Sequence, residues 1–155
     1  MEDTGKYGKR VAGHFEKLIK VLGEEYVGGE IESPFDFIEI AAKGLHSQAI
    51  ENFREYFELS KSQAASMLHV SEPTLYRWIK ADKELDQYHG VKLFELADLY
   101  LNGVEVFQDK ANFIQWMQLP NTALGGKQPE QLIEMPGGVA KVKDLLGRIE
   151  HGVYS

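Results

Sequence analysis

The chain has 155 residues, a formal net charge of −7, 43 % hydrophobic and 26 % charged residues, and no cysteine. That is an ordinary globular composition with room for a real core in one domain or two small ones. It excludes a disulfide framework and a thiolate metal site, and its acidity argues against a surface that binds nucleic acid all over.

No apolar run follows the charges at the start, M-E-D-T-G-K-Y, so no signal peptide is expected. No window holds an uncharged apolar run of membrane-spanning length, which makes the cytoplasm the expected address. Tyr7, Val11, Phe15, Leu18 and Leu22 recur at steps of three and four and predict an amphipathic helix ending at Gly23. Residues 24–32, with a Gly pair and no helical stripe, read as a linker. Residues 1–32 thus form a helical arm, able to pack on the core or on a second copy of the chain. Ser33 and Pro34 open the next predicted helix as cap and first residue, with Phe35, Ile38, Ala41 and Ala42 as its stripe and Gly44 as its end. Residues 45–57 predict a supporting helix with Leu45, Ala49, Ile50, Phe53, Tyr56 and Phe57 apolar.

Residues 59–80, L-S-K-S-Q-A-A-S-M-L-H-V-S-E-P-T-L-Y-R-W-I-K, predict two short helices across a tight turn. Ser60 and Gln63 can form a capping box, and Ala64, Ala65, Met67 and Leu68 give a small apolar inner face. Ser71 can cap the second helix, and Pro73 is tolerated in its first turn. Leu75, Trp78 and Ile79 share a face, while Thr74, Tyr76, Arg77 and Lys80 can point outward. With Ala65, Val70, Leu75 and Trp78 at matching positions, this is the pattern of a DNA-binding helix-turn-helix. His69 stands where the turn usually has Gly, and His tolerates left-handed backbone better than most residues. The predicted DNA contacts are Ser71 and Thr74 near the helix N-terminus, then Tyr76, Arg77 and Lys80 along it. Glu72 favours the helix dipole more readily than it reads a cytosine. A chain this acidic binds DNA weakly as a monomer, and dimerisation on two half-sites relieves the weakness.

Residues 81–90 read as a polar loop. Residues 91–107 are apolar on more than one face, suiting either a core helix or a dimer interface, and Gly103 is placed to bend or break it. Asp109 predicts a cap for a helix with Ala111, Phe113, Ile114, Trp116, Met117 and Leu119. Residues 119–128 form a loop. Its Gly125-Gly126 pair lacks the spacing of a phosphate cradle. Pro129 starts a short helix, and Val139, Val142, Leu145, Leu146, Ile149 and Val153 stripe a final one. No strand is expected. Five scattered histidines, no nucleophile elbow and no defensible acid–base pair leave neither a metal site nor a catalytic residue to name, so no cofactor and no enzyme activity are expected.

The C-terminal third reads F-I-Q-W-M-Q-L-P-N-T-A-L-G-G-K-Q-P-E-Q-L, then P-G-G-V-A-K-V, then L-L-G-R-I-E-H-G-V-Y-S. It resembles the toxin-binding domain of the Xre/MbcA/ParS-type antitoxins. The matching residues are Trp116, Pro120, Asn121, Leu124, Gly125, Gly126, Pro129, Gly138, Val142, Leu146, Arg148, Ile149, Gly152 and Val153, with Met117 in place of a Leu. Residues 45–107 fit the family's DNA-binding half more loosely. The resemblance implies an all-α fold, with an Xre/Cro-like helix-turn-helix domain over 33–107 carrying the dimerising helix and a small helical toxin-binding domain over 108–155. It further implies an antitoxin that blocks the active site of a cognate RES-domain, NAD-consuming toxin and represses its own operon. The expected toxin contacts are Trp116, Asn121, Arg148 and the tip Gly152, Val153, Tyr154 and Ser155, with Arg148 able to meet a carboxylate bidentately. The expected partners are that toxin, operator DNA and a second copy of the chain, with no membrane. The competing readings are a stand-alone regulator whose C-terminal domain dimerises or binds another protein, and a structural adaptor that no longer binds DNA.

Overall fold

The structure, a computed structural model, describes residues 13–152. The chain divides into two compact units between Asp98 and Leu99.

In the first unit, helix α1 covers residues 13–22 and ends at Gly23, whose φ of 105° only glycine adopts readily. Phe15, Leu18 and Leu22 are buried, so the described part of the arm packs on the core of its own chain. Tyr7 and Val11 lie outside the described residues. Phe15 meets Phe37 edge-on, the Asn52 amide donates to the Leu22 carbonyl at 2.8 Å, and His14 Nε2 lies 2.7 Å from Asp98 Oδ1. The following stretch is more than a linker, because Val27 and Ile31 are buried and Tyr26 stacks on His46.

Helix α2 is Phe35–Lys43. Ser33 does not cap it. Asp36 reaches back instead, its Oδ2 accepting from the Glu32 and Ser33 amides. The buried face is Phe37, Ile40 and Ala41, whereas Phe35, Ile38 and Ala42 of the expected stripe are exposed. The helix is apolar on two sides, and the inner one is fixed by Phe37 lying flat on Phe94 at 5.0 Å.

Two short strands correct the expectation of none. Leu45–His46 (β1) pairs antiparallel with Glu84–Leu85 (β2), Leu45 opposite Leu85. Leu45 therefore precedes the next helix, and part of the supposed polar loop is sheet. Gly44 makes this possible, since its φ of 103° is a backbone conformation that other residues rarely adopt. Helix α3 is Gln48–Tyr56, with Ala49, Ile50 and Phe53 buried. Helices α4 (Lys61–Met67) and α5 (Glu72–Lys80) follow.

Helix α6, Gln87–Phe107, begins four residues before the expected Val91, because Asp86 caps it by accepting from the His89 amide at 2.9 Å. Leu93, Phe94, Leu96 and Ala97 are wholly buried in the first unit. Of the two roles open to this helix, it takes that of core.

In the second unit, α6 continues past Gly103, which does not break it. The missing side chain there makes room for the Phe113 ring, which also meets Tyr100 edge-on at 5.4 Å. Asp109 caps α7 (Lys110–Met117) as expected, accepting from the Asn112 amide. A 3₁₀ turn at Thr122–Leu124, α8 (Pro129–Leu132) and α9 (Gly138–Glu150) complete the unit. Ile133, Val142, Leu145 and Leu146 fill its core. Gly138 lies so close to the Leu132 carbonyl that no larger residue fits.

Candidate DNA-binding and toxin-binding surfaces

The helix-turn-helix is built by local hydrogen bonds. Ser60 and Gln63 form the reciprocal capping box that starts α4. Arg54 braces the preceding turn: Nε and Nη2 donate to the two Glu51 oxygens at 3.1 and 2.7 Å, and Nη1 donates to the Leu59 carbonyl. The Glu51 bond and charge, opposed by burial, hold the Arg54 guanidinium above its ordinary value. His69 takes φ 59°, the left-handed turn conformation its position calls for. Leu75 is the buried anchor of α5. Trp78 is half-buried, its ring 4.8 Å from His89. His89 in turn bonds Asp86. Burial would raise the Asp86 carboxyl, but the His89 amide and imidazole outweigh it and leave the group below its usual range.

The five residues expected to meet DNA fall into two linked groups along α5, Ser71 with Thr74 and Arg77, and Tyr76 with Lys80. Ser71 Oγ accepts from the Thr74 amide and donates to Thr74 Oγ1, and Arg77 Nη2 donates to that same Oγ1 at 3.1 Å. Lys80 Nζ sits 5.6 Å above the centre of the Tyr76 ring. Tyr76, Arg77 and Lys80 line an open cleft of about 740 Å³. Lys61, the first residue of α4, lines it too and was not picked out from the sequence. Glu51 and Glu72 also line the cleft, and Arg54 pairs Glu51.

In the second unit the singled-out residues do structural work. Trp116 is half-buried between Phe107 and Phe113. Asn121 builds its loop: Oδ1 caps the 3₁₀ turn by accepting from the Ala123 amide, its N–H donates to the Lys127 carbonyl, and its carbonyl accepts from Gly126. Gly125 and Gly126, at φ 69° and 82°, supply the left-handed residues that this loop needs. Arg148 bonds Asp144 one turn earlier at 3.0 Å, both side chains well exposed. Gly152 closes α9 with φ 71°, while Val153, Tyr154 and Ser155 lie outside the described residues. Leu119 and Met135, exposed at 52 % and 47 %, are apolar surface that the sequence did not assign to the site.

Among the described residues no cluster of His, Cys, Asp or Glu could hold a metal, and no helix is long and apolar enough to cross a membrane.

Two family models cover the chain in succession: the antitoxin Xre-like helix-turn-helix domain over residues 36–102, and the antitoxin Xre/MbcA/ParS C-terminal toxin-binding domain over 102–152. An antitoxin Xre from Yersinia enterocolitica is 47 % identical over 113 residues, 72 % of this chain and 76 % of that protein. The chain belongs to the Xre antitoxin family. A second antitoxin Xre, from Photorhabdus laumondii, is 40 % identical over 55 residues, 35 % of this chain and 37 % of that one. A chain of the Mycobacterium tuberculosis MbcT–MbcA toxin–antitoxin complex shares the fold at 19 % identity, with a TM-score of 0.53 over 70 % of this chain and 96 % of that one. This Xre antitoxin therefore joins a helix-turn-helix DNA-binding domain to a toxin-binding domain.

Proposed function

We propose that this antitoxin silences a RES-domain, NAD-consuming toxin by covering its active site with the second unit. In the same reading, the first unit represses the operon as a cytoplasmic homodimer, with α5 in the major groove of the operator. The observation that carries the reading is the conjunction in one chain of a toxin-binding domain with a recognition helix whose outward side chains are linked to one another. Thr74 Oγ1 holds the Arg77 guanidinium on the outer face of α5, which lowers the entropy lost when it meets a base or phosphate. On the toxin side, exposed Leu119 and Met135 offer apolar contact. The surface pair Arg148–Asp144 is the kind worth little in water, so Arg148 can exchange Asp144 for a carboxylate of the toxin. The tip from Gly152 to Ser155 completes the contact by entering the active site.

Co-expression with the adjacent reading frame tests this. The expected result is co-purification of the two proteins and preserved cellular NAD, with NAD falling when the antitoxin is withheld. Removing residues 153–155 is expected to weaken neutralisation. A neighbour that neither co-purifies nor depletes NAD overturns the reading, and full neutralisation by the shortened chain overturns the role of the tip.

A further inference from the structure

The turn after the recognition helix holds a residue that is locally unfavourable there. Asp82 follows the last turn of α5 at φ 57°, a left-handed conformation that glycine takes most readily. Its carboxylate stands at a helix C-terminus, where the dipole favours cations. The side chain is 83 % exposed, and a carboxylate beside a DNA-binding helix opposes the phosphate backbone. What it meets is His46 of β1, whose Nε2 lies 2.8 Å from Asp82 Oδ1. We propose that His46 is a positioning residue for DNA recognition: through Asp82 it clamps the C-terminal end of α5 without itself touching the duplex. The proposal rests on the reading of α5 as the helix that enters the operator, and adds what holds the end of that helix.

The His46 ring is itself fixed. Nδ1 accepts from the Gln48 amide at 3.0 Å and so satisfies the first free N–H of α3, which leaves the ring proton to Nε2 on the side of Asp82. The Tyr26 ring stacks on the imidazole at 4.8 Å between centres, inclined by 25°. Tyr26 is set in turn by the bend at Gly23. Its amide donates to the Gly23 carbonyl at 3.0 Å, and its ring passes so close that a side chain at Gly23 would collide with it. The backbone straps across this region begin one residue beyond Asp82: the Ser47 amide donates to the Lys83 carbonyl at 2.8 Å, and β1 pairs with β2 from Glu84 onward. Between those straps and the helix, Ala81 and Asp82 are exposed, and their amides bond back into α5, to the Arg77 and Ile79 carbonyls. The His46–Asp82 contact thus ties the last turn of α5, which carries Arg77 and Lys80, to the sheet. Tyr26 lies ahead of residue 36, where the helix-turn-helix family model begins, so the segment before that domain takes part in holding its recognition helix.

Asp82→Gly in the full chain separates this role from a local one. Glycine relieves the left-handed residue and removes the charge, so local effects alone predict unchanged or tighter DNA binding. The clamp predicts the opposite: affinity for a duplex carrying the DNA upstream of the chain's own reading frame falls roughly two- to fivefold, while melting temperature and toxin co-purification stay unchanged. Asp82→Asn tolerates the same conformation and keeps an oxygen toward Nε2, so it is expected to bind as the wild type does. His46→Phe keeps a ring against Tyr26 but has no nitrogen for Asp82, and in that chain Asp82→Gly is expected to cause no further loss. In the free protein, amide exchange at Ala81 is expected to be faster in Asp82→Gly than in the wild type, as the last turn of α5 frays. Wild-type or tighter binding by Asp82→Gly overturns the proposal. So do equal losses from Asp82→Gly and Asp82→Asn, or the same loss from Asp82→Gly whether or not His46 is present. A wild-type chain that does not bind the duplex overturns the operator reading instead. Exchange at Ala81 then decides the clamp, faster exchange in Asp82→Gly upholding it and unchanged exchange overturning it.

Discussion

Helix α5 and the loop around Asn121 hold their polar residues in opposite ways. On α5 the backbone is complete without Arg77 and Lys80, which are held outward by Thr74 and by the Tyr76 ring. In the second unit Asn121 is consumed by its own loop, through a side-chain cap and three backbone bonds. Arg148 is tied to Asp144. A helix satisfies its own peptide groups and frees side chains to recognise a partner, whereas an irregular loop must use side chains and glycines to satisfy itself. On α5 the motif therefore leaves side chains available to a partner, while at Asn121 it fixes the shape of the loop.

The sharpest way to separate the two units is to damage one. In Gly103→Val the new side chain collides with Phe113, and such overpacking costs about 3 kcal/mol. Toxin capture is expected to fail while operator binding by a gel shift survives. Loss of both would break the distinction. A pH titration sharpens it next. Burial, with the Glu130 and Glu134 carboxylates adding, pushes the Tyr100 phenol far above its ordinary value near 10. The folded value exceeds the unfolded one, so this contribution is complete below pH 10 and is lost as pH rises beyond it. Near-ultraviolet absorbance is expected to show Tyr100 ionising only as the second unit unfolds, and Tyr100→Phe should move that alkaline transition upward.

Smaller effects follow from the loop and the turn. Asn121→Ala removes a cap worth about 1 kcal/mol. Its cost should appear as a melting temperature lowered by a few degrees, with toxin affinity reduced only in proportion. A large loss of toxin affinity at unchanged stability would make Asn121 a contact after all. His69→Gly relieves a left-handed non-glycine residue and is expected to stabilise by less than about 1 kcal/mol, leaving operator and toxin binding unchanged.

What could be read from the sequence was local. Ser60 with Gln63, Ser71 with Thr74, and Asp109 with Asn112 are side-chain-to-amide bonds across three residues, so spacing alone reveals them. Turn geometry at His69 was readable for the same reason. What escaped was decided at a distance. β1 and β2 are two residues each, too short to alternate, and pair across nearly 40 positions. Helix α2 is apolar on both sides, and Phe15 and Phe94, both distant in sequence, hold the Phe37 side inward. In the candidate sites, the outward residues of α5 were legible because a helix has a period. Lys61 was missed because it joins them only through the folding of α4 against α5.

The most direct test is to give one variant, Arg77→Ala with Lys80→Ala, both tasks at once. Two surfaces on separate units predict a loss of operator affinity of at least about tenfold, together with wild-type protection of cellular NAD against the co-expressed toxin. Unchanged operator binding, or protection lost along with it, would contradict the account.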